Sequence, residues 1–384
     1  MKIQAYIGPD SIFSPLGFGT ETNFSGIISG RSALGLVQPA YSSSPFCASL
    51  FDETIIDDIF EPLARPKAYT RLEKISIMAV ASVLKQSGIS LSDDRTLLIY
   101  STTKGNVNLL EPDASSEIPE NRVYLPVFSK LLGDYFGCAR EPVIVSNACI
   151  SGLLAMVIAR RMLGAGNYDH IIVAGGDIVS EFTVSGFRSF NAMSDEPCRP
   201  YDAARKGINL GEAAAAVILT RDRSLAGTVP VRMTGGASAN DANHISGPSR
   251  DGQGLFLALE AAKLEAGITT AGFISAHGTA TEFNDEMESI AFSRSGLSDV
   301  PLHSLKGYYG HTLGAAGLLE SILGVHSLKT GKLIASAGFC DNGVSGNINV
   351  IRETGNSFAE SFIKTASGFG GCNAAAVFTK EDSE

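Results

Sequence analysis

The chain has 384 residues, of which 44% are hydrophobic and 18% charged, so it is not disordered and is long enough for two domains or one large duplicated domain. Its net charge of −10 argues against broad binding to nucleic-acid phosphates, although a local basic patch can still bind an acidic partner. The chain has no stretch of about 18 uninterrupted apolar residues and no apolar run of signal-peptide length at its N-terminus, so we expect no membrane span and a cytoplasmic location.

Short apolar or β-branched runs predict buried strands, and longer apolar segments predict helices. The strands are predicted at 97–102, 143–147, 170–175, 214–220, 272–277, 361–366 and 374–379. The helices are predicted at 151–163, 254–266 and 315–328. Continuous apolar strands that alternate with helices indicate sheets buried on both faces, so the predicted fold class is α/β.

Two segments share one layout, in which a strand leads into a loop of small residues, a reactive side chain and a buried helix. They are VIVSNACISGLLA at 143–155 and HSLKGYYGHTLGAAGLLE at 303–320. The repetition indicates an internal duplication whose halves meet near residues 221–230. We therefore expect an N-terminal half at 1–225 and a C-terminal half at 226–384, with both helix starts close together at the centre.

Cys149 lies between a predicted strand and the start of a buried helix, and Ser151 and Gly152 follow it. A thiol there is in the positive field of the helix N-terminus, which favours the thiolate near neutral pH. Backbone N–H groups at the same turn can receive an oxyanion. The alternative is a buried, inert thiol that packs as a small hydrophobic side chain.

Two histidines and a Lys–Glu pair form a second set of candidates. His277 follows a predicted strand and His311 precedes a predicted helix, so either can be structural or can donate to developing negative charge. Glu320 lies on the buried face of that helix, where a carboxylate needs a partner. Lys306 is its predicted partner, and an exposed ion pair of little energetic value is the alternative.

The segment SGFGGCNAAA at 367–376 is a glycine-rich turn before a strand. It is not a P-loop, because no Lys-Ser/Thr follows and no helix opens there. A close approach of its backbone to an acyl group is the better interpretation. The six cysteines include no C-x-x-C pair, so we predict reduced thiols and no metal site.

If residues 66–85 are helical, Lys67, Arg71 and Lys74 fall at positions i, i+4 and i+7 and form a basic stripe. Such a stripe suits a strongly acidic partner. A solvated helix face with no partner is the alternative.

Five segments, in this order, resemble the elongating β-ketoacyl–acyl carrier protein synthases, which are condensing enzymes of the thiolase-like superfamily. They are NACISG at 147–152, RPYDAARKGINLGEAA at 199–214, HGTATEFND at 277–285, KGYYGHTLGAAG at 306–317 and GFGGCNA at 368–374. The resemblance implies two similar halves stacked α-β-α-β-α, each with a five-stranded mixed sheet. It also implies a homodimer.

The resemblance assigns roles to residues of this chain. Cys149 attacks the thioester of an acyl carrier protein, and its N–H group forms the oxyanion hole with that of Phe369, which also acts as a gate. His277 and His311 assist decarboxylation of the malonyl thioester, and Lys306 and Glu320 support the site. The substrates are carried on the phosphopantetheine arm of the carrier, which docks at the basic stripe, and no cofactor or metal is implied.

The sequence also allows other functions. The region from Thr103 to Tyr135, which shapes the acyl pocket in the family, is short and unusual, so a catalytically weak, chain-length-factor-like partner subunit is the alternative function. Thiolase-type cleavage is less favoured, because Cys372 does not lie where a second catalytic cysteine is expected. The run TTKGN at 102–106 resembles synthases of aryl-polyene or flexirubin-type pathways.

Overall fold

The computed structural model describes residues 3–111, 117–244 and 247–381, and these form ten α-helices and seventeen strands. The helices are α1 (Thr20–Ile28), α2 (Glu53–Phe60), α3 (Arg71–Ser87), α4 (Leu125–Phe136), α5 (Ser151–Gly164), α6 (Glu181–Ser189), α7 (Gln253–Ala266), α8 (Glu282–Arg294), α9 (Lys306–Tyr309) and α10 (Ala316–Thr330). The strands are β1 (Tyr6–Ser14), β2 (Gly17–Phe18), β3 (Gly35–Val37), β4 (Phe46–Ser49), β5 (Thr96–Ser101), β6 (Val143–Val145), β7 (His170–Asp177), β8 (Leu210–Gly211), β9 (Ala213–Thr220), β10 (Val231–Asn240), β11 (Phe273–Ser275), β12 (Pro301–His303), β13 (Lys332–Leu333), β14 (Asn349–Val350), β15 (Gly355–Asn356), β16 (Ser361–Gly368) and β17 (Cys372–Lys380).

Each predicted strand and each of the three long predicted helices is present, with bounds that differ by one to a few residues. The helix expected at 66–85 is wrong in its first turns. A short 3₁₀ helix covers Pro66–Ala68, and α3 begins only at Arg71. The reason is a capping box, in which Thr70 and Glu73 exchange side-chain and backbone hydrogen bonds and so fix the helix start.

Two groups of five strands repeat one spatial order. The first is β1-β9-β7-β5-β6 and the second is β10-β17-β16-β11-β12. In each group the first two pairings are antiparallel and the next two are parallel. The short β14 extends the second group, and a pairing of Tyr6 with Arg232 joins the two groups at β1 and β10. The repeated order agrees with an internal duplication, whereas the boundary at residues 225 and 226 stays a prediction.

The layers follow from which apolar residues pack together. Side chains of α5 and α10 pack between the two groups of strands in the largest core cluster. Side chains of α3 and α4 cover the outer face of the first group, and those of α7 and α8 cover the outer face of the second. The α/β class and the α-β-α-β-α layering predicted from the sequence are therefore confirmed. Within the described residues no helix is both long and apolar enough to cross a membrane.

The two central helices cross at glycines. A Cβ atom on Gly152 of α5 would lie 2.8 Å from both the carbonyl oxygen of Gly314 and the backbone nitrogen of Leu318. A Cβ atom on Gly317 of α10 would lie 2.7 Å from the backbone nitrogen of Leu153. Real Cβ atoms do not approach so closely, so only glycine allows this contact. The crossing brings the start of α5, which follows Cys149, against the start of α10, which follows His311.

Candidate active site

Cys149 lies in a strained turn between β6 and α5. The preceding residue, Ala148, has a φ of 42°, which is unusual for a residue with a Cβ atom. The Ser151 hydroxyl fixes the turn by donating to the Ala148 carbonyl at 2.6 Å and accepting from the Asn147 N–H at 2.8 Å. Backbone strain of this kind is typical of sites where a side chain must be held in one direction. The turn directs a single reactive thiol into the space in front of α5.

Burial of Cys149 opposes the thiolate expected from the sequence at this position. Burial raises its pKa from 9.0 to about 12, and the positive charges of Lys306 and Lys104 oppose this rise. A helix N-terminus stabilises an anion by at most about 2 kcal/mol, whereas one pKa unit corresponds to about 1.4 kcal/mol. The field of α5 therefore offsets only part of this rise in pKa, which favours a thiol that loses its proton as it reacts.

His277 and His311 face each other, with ring centroids 5.1 Å apart and ring planes at 84°. Both side chains are buried, and the two nitrogens of His311 and the Nδ1 atom of His277 have no hydrogen-bond partner among the described residues. Burial, followed by the charge of Lys306, lowers the pKa of both imidazoles well below 6.5. At neutral pH both rings are uncharged and can each donate one N–H group to a bound substrate.

Backbone hydrogen bonds hold each histidine in place. The N–H of His311 donates to the Asn209 carbonyl at 2.7 Å, and its carbonyl accepts from the N–H of Gly211 at 3.0 Å. The carboxylate of Glu288 on α8 accepts from the N–H of His277 at 3.0 Å and from that of Gly278 at 2.6 Å. The segment at 199–214, which resembled the family without an assigned role, thus positions His311.

The predicted Lys306–Glu320 pair is present and buried, with 2.7 Å between Nζ and Oε1. A second lysine, which the sequence analysis did not select, shares the same carboxylate. Nζ of Lys364 on β16 lies 2.8 Å from Oε2 of Glu320, and Lys364 is fully buried. The charges of Lys306 and Lys364 hold the pKa of Glu320 below its ordinary value, although burial acts in the opposite direction.

The glycine-rich segment is the turn that joins β16 to β17, with Phe369 at its tip. A Cβ atom on Gly368 would lie 3.0 Å from the backbone nitrogen of Cys149 and 2.9 Å from Sγ of Cys372. The turn therefore packs directly against the nucleophile's own backbone. The Phe369 ring lies between Phe187 and Phe190, with centroid distances of 5.5 and 5.3 Å. The approach of this backbone to an acyl group, which is expected from the sequence, stays a prediction.

One cavity of about 420 Å³ brings the reactive side chains of the site together. Its lining includes Cys149, His277, His311 and Phe369, which come from both halves of the chain. Lys306 and Glu320 do not line the cavity, but the charge of Lys306 acts on both histidines. Within the described ranges, no three His, Cys, Asp or Glu side chains are placed to hold a metal ion.

The prediction that Lys67, Arg71 and Lys74 form an exposed basic stripe is wrong. Lys67 is exposed but precedes α3, whereas Lys74 is buried and pairs with Glu53 and Asp57 of α2. Arg71 pairs with Glu53 at 2.5 Å and with the buried Glu212 at 2.9 Å. Carboxylates from elsewhere in the chain neutralise two of the three cations, so the stripe presents no continuous positive surface.

Three residues that position the site were not selected from the sequence. Asp285 and Glu288 lie one turn apart on α8, where Asp285 accepts from the N–H of Thr279 at 2.9 Å. A buried pair of carboxylates at i and i+3 was the available signal for them. Lys364 is the only charged residue in the apolar run SFIKTA, and a charge in a buried strand needs a partner.

Comparison with known proteins gives the family. The model of the β-ketoacyl synthase N-terminal domain matches residues 11–224, and that of the C-terminal domain matches residues 231–339. The chain is 27% identical to 3-oxoacyl-[acyl-carrier-protein] synthase 2 of Vibrio harveyi, over 96% of each protein. It is 28% identical to the tetracenomycin polyketide synthase ketoacyl synthase alpha subunit of Streptomyces glaucescens, over 96% of this chain and 95% of that protein.

Solved structures show the same fold at lower identity. One chain of the structure of the ketosynthase ApeO in complex with its chain length factor ApeC, from Xenorhabdus doucetiae, superposes with a TM-score of 0.85 at 22% identity and 98% coverage of each chain. A β-ketoacyl synthase from Burkholderia phymatum gives a TM-score of 0.85 at 22% identity and full coverage. The chain therefore belongs to the β-ketoacyl synthase family and is an acyltransferase of the condensing type.

Proposed function

We propose that the chain catalyses a decarboxylative Claisen condensation between an acyl group carried on Cys149 and a malonyl group carried on acyl carrier protein. The observation that carries the proposal is one cavity that contains a buried thiol and two uncharged imidazoles whose centroids are 5.1 Å apart. A nucleophile and two hydrogen-bond donors are the groups that this two-stage reaction needs.

In the first stage the sulfur of Cys149 attacks the thioester carbonyl of the acyl donor. The thiol proton passes to the leaving thiol of the phosphopantetheine arm, so one thioester is formed as another is broken. The N–H groups of Cys149 and Phe369 are the proposed donors to the oxyanion, because the turn at Gly368 packs against the backbone of Cys149. The acyl group is then held on the enzyme while the first carrier departs.

In the second stage the malonyl thioester enters the same cavity. His277 and His311 donate N–H groups to its thioester oxygen, which takes up negative charge as the carboxylate leaves as carbon dioxide. The enolate carbon then attacks the acyl thioester, and the sulfur of Cys149 leaves as a thiolate that takes up one proton from solvent. Because both rings are uncharged near neutral pH, their function is hydrogen-bond donation and not proton transfer from an imidazolium.

The proposal includes no resident cofactor, since both substrates arrive as thioesters on the carrier's arm. Relatives named as acyl-carrier-protein synthases support this partner. None of the six cysteines, all of which lie in described ranges, forms a disulfide, which favours the cytoplasm. An aryl-polyene or flexirubin-type pathway stays a prediction that only the acyl chain accepted can test.

We also propose a homodimer that forms along the edge of the first group of strands. β6 is the last strand of that group, and Val143 at its start is 36% exposed. An exposed apolar edge strand readily pairs with a second copy of itself. Light scattering on the purified chain distinguishes this dimer from a monomer or from a chain that needs a different partner.

The function is tested by intact-protein mass after incubation with a series of acyl-carrier thioesters. We expect a mass increase of one acyl group, followed by its loss and release of β-ketoacyl carrier when malonyl carrier is added. Varying the acyl chain identifies the preferred length and shows whether aromatic groups are accepted. A chain that gains no mass with any donor contradicts the proposal.

A second candidate is a catalytically weak subunit that works beside a companion synthase. It is favoured by the structural likeness to a ketosynthase that is solved with its chain length factor. Cys149, His277 and His311 in one cavity favour the first candidate, because a purely structural subunit needs none of them. Acylation that appears only after a companion synthase is added would select the second candidate.

Substitution of Gly368 by Ala should disrupt the oxyanion site without unfolding the protein. The added Cβ would lie 3.0 Å from the Cys149 nitrogen, so the turn that carries Phe369 must move away. We expect the rate of Cys149 acylation to fall by about 10²–10³-fold, as for the loss of one oxyanion donor. Stopped-flow or quenched mass measurements give this rate. Gly355→Ala, which meets no atom within 4 Å, is the matched control.

A further inference from the structure

We propose that Lys364 is a positioning residue of the active site, which joins the strand end that delivers His277 to the carboxylate that holds Lys306. The inference rests on the function proposed above and adds a residue to it. Lys364 does not line the cavity, so it acts through the groups that it contacts.

The contacts of Lys364 converge on the site from three elements. Its Nζ atom donates to the carbonyl oxygens of Ser275 at 3.0 Å and Ala276 at 3.1 Å, and these two residues directly precede His277. It also donates to the carbonyl of Thr365 at 2.7 Å, on the strand that continues to Phe369. The same ammonium lies 2.8 Å from the carboxylate of Glu320 on α10. One buried atom therefore fixes the end of β11 relative to β16 and α10.

Charge balance does not explain this lysine. Glu320 is already paired with Lys306 at 2.7 Å, so Lys364 places a second ammonium on one carboxylate. Removing a lysine from water is costly, and a well-packed apolar side chain at such a position usually serves stability at least as well. A lysine in this strand is therefore better explained by what it positions than by its contribution to folding.

The surroundings of Lys364 determine how its charge acts on the two histidines. The charged and titratable groups that interact with it are Glu320, Lys306, Glu288, His277, His303 and His311. The ammonium of Lys364 adds to burial and to Lys306 in lowering the pKa of His277 and His311. Burial and the ammonium of Lys364 lower the pKa of the neighbouring His303 to about 3, against the opposing charge of Glu320. Lys364 thus helps to keep both cavity imidazoles uncharged.

The test compares Lys364→Met, which keeps the unbranched stem but removes the ammonium group, with Lys364→Arg, which keeps the charge. We expect Lys364→Met to acylate Cys149 like the wild type but to lose about tenfold or more in kcat for malonyl decarboxylation, with KM little changed. An ammonium disfavours a nearby imidazolium, so its removal raises the histidine pKa values. The acid limb of the decarboxylation profile should therefore move to higher pH in Lys364→Met and stay in place in Lys364→Arg.

Lys263→Met is the matched control, because Lys263 is also buried and donates to a carbonyl, that of Ser295 at 2.8 Å, but lies on the outer helix α7. It should lower thermal stability without moving the pH profile. If Lys364→Met does not fold, Lys364→Gln, which also lacks the charge, takes its place in the comparison. A wild type without decarboxylation contradicts the proposed function itself. An active wild type beside a Lys364→Met protein with unchanged kcat and acid limb, or with acylation and decarboxylation reduced equally, overturns only the inference.

Discussion

Cys149→Ala should form no acyl-enzyme and should lose condensation by at least about 10⁴-fold, because no other group in the cavity can replace the nucleophile. Decarboxylation of malonyl carrier should continue, since His277, His311 and the turn at Phe369 are unchanged and the reaction then ends in protonation of the enolate. The two activities are separated by measuring carbon dioxide release and β-ketoacyl product in the same sample.

Folding should be almost unaffected in this variant. The substitution removes one sulfur atom that borders a cavity, and in a chain of 384 residues a loss of about 1 kcal/mol would lower the unfolding midpoint by about 1 °C. Cys47→Ala is the control, because Cys47 is a buried thiol in β4 and is not part of the cavity lining. Product formation by Cys149→Ala at the wild-type rate would refute the nucleophile assignment.

His311→Ala should retain acyl transfer to Cys149 and should decarboxylate malonyl carrier about 10²–10⁴-fold more slowly. The reason is that the ring supplies an N–H donor to the enolate oxygen and is not needed to take the thiol's proton. His311→Gln, whose amide can still donate, should keep more activity than His311→Ala. Separate measurement of acyl-enzyme mass and carbon dioxide release distinguishes the two stages.

The pH dependence of decarboxylation gives a second check. The pKa of His311 lies well below 6.5, so the wild-type rate should be constant through neutral pH and should fall only in acid, as the ring gains a proton and a charge. His326→Ala is the control, because His326 lies on α10 but pairs with Asp10 outside the cavity. Loss of acylation with intact decarboxylation in His311→Ala would contradict the assigned role.

The local pattern of apolar and polar residues predicted many of the strands and long helices of this fold. Strands such as 170–175 and 214–220 are apolar on both faces, and this composition alone identifies them as buried. The strand order could not be read in the same way, because the pairing of β1 with β10 and of β16 with β11 joins residues far apart in sequence. The repeated order of the two halves became visible only once these pairings were known.

At the candidate site, too, the sequence predicted what depends on local pattern and missed what depends on distant contacts. Cys149, His277 and His311 each lie where a predicted strand ends or a predicted helix begins, so they could be selected from the sequence. The prediction of a basic stripe failed because Glu53 and Asp57, which neutralise Lys74, lie on α2. The periodicity of one helix carries no information about the side chains of a neighbouring helix. The burial that opposes a Cys149 thiolate was not predictable in the same way, because burial of a side chain depends on all the elements packed around it.

The glycine crossing of α5 and α10 constrains how this enzyme can diverge or be recombined. Cys149 belongs to one half and His311 to the other, and their separation depends on a helix contact that has no room for a methyl group at Gly152 or Gly317. A chimera that joins one half of this chain to the complementary half of a relative would therefore keep its reaction geometry only if both crossing positions stay glycine. A single added carbon at this contact would push the two helix starts apart and so move the nucleophile relative to the imidazoles.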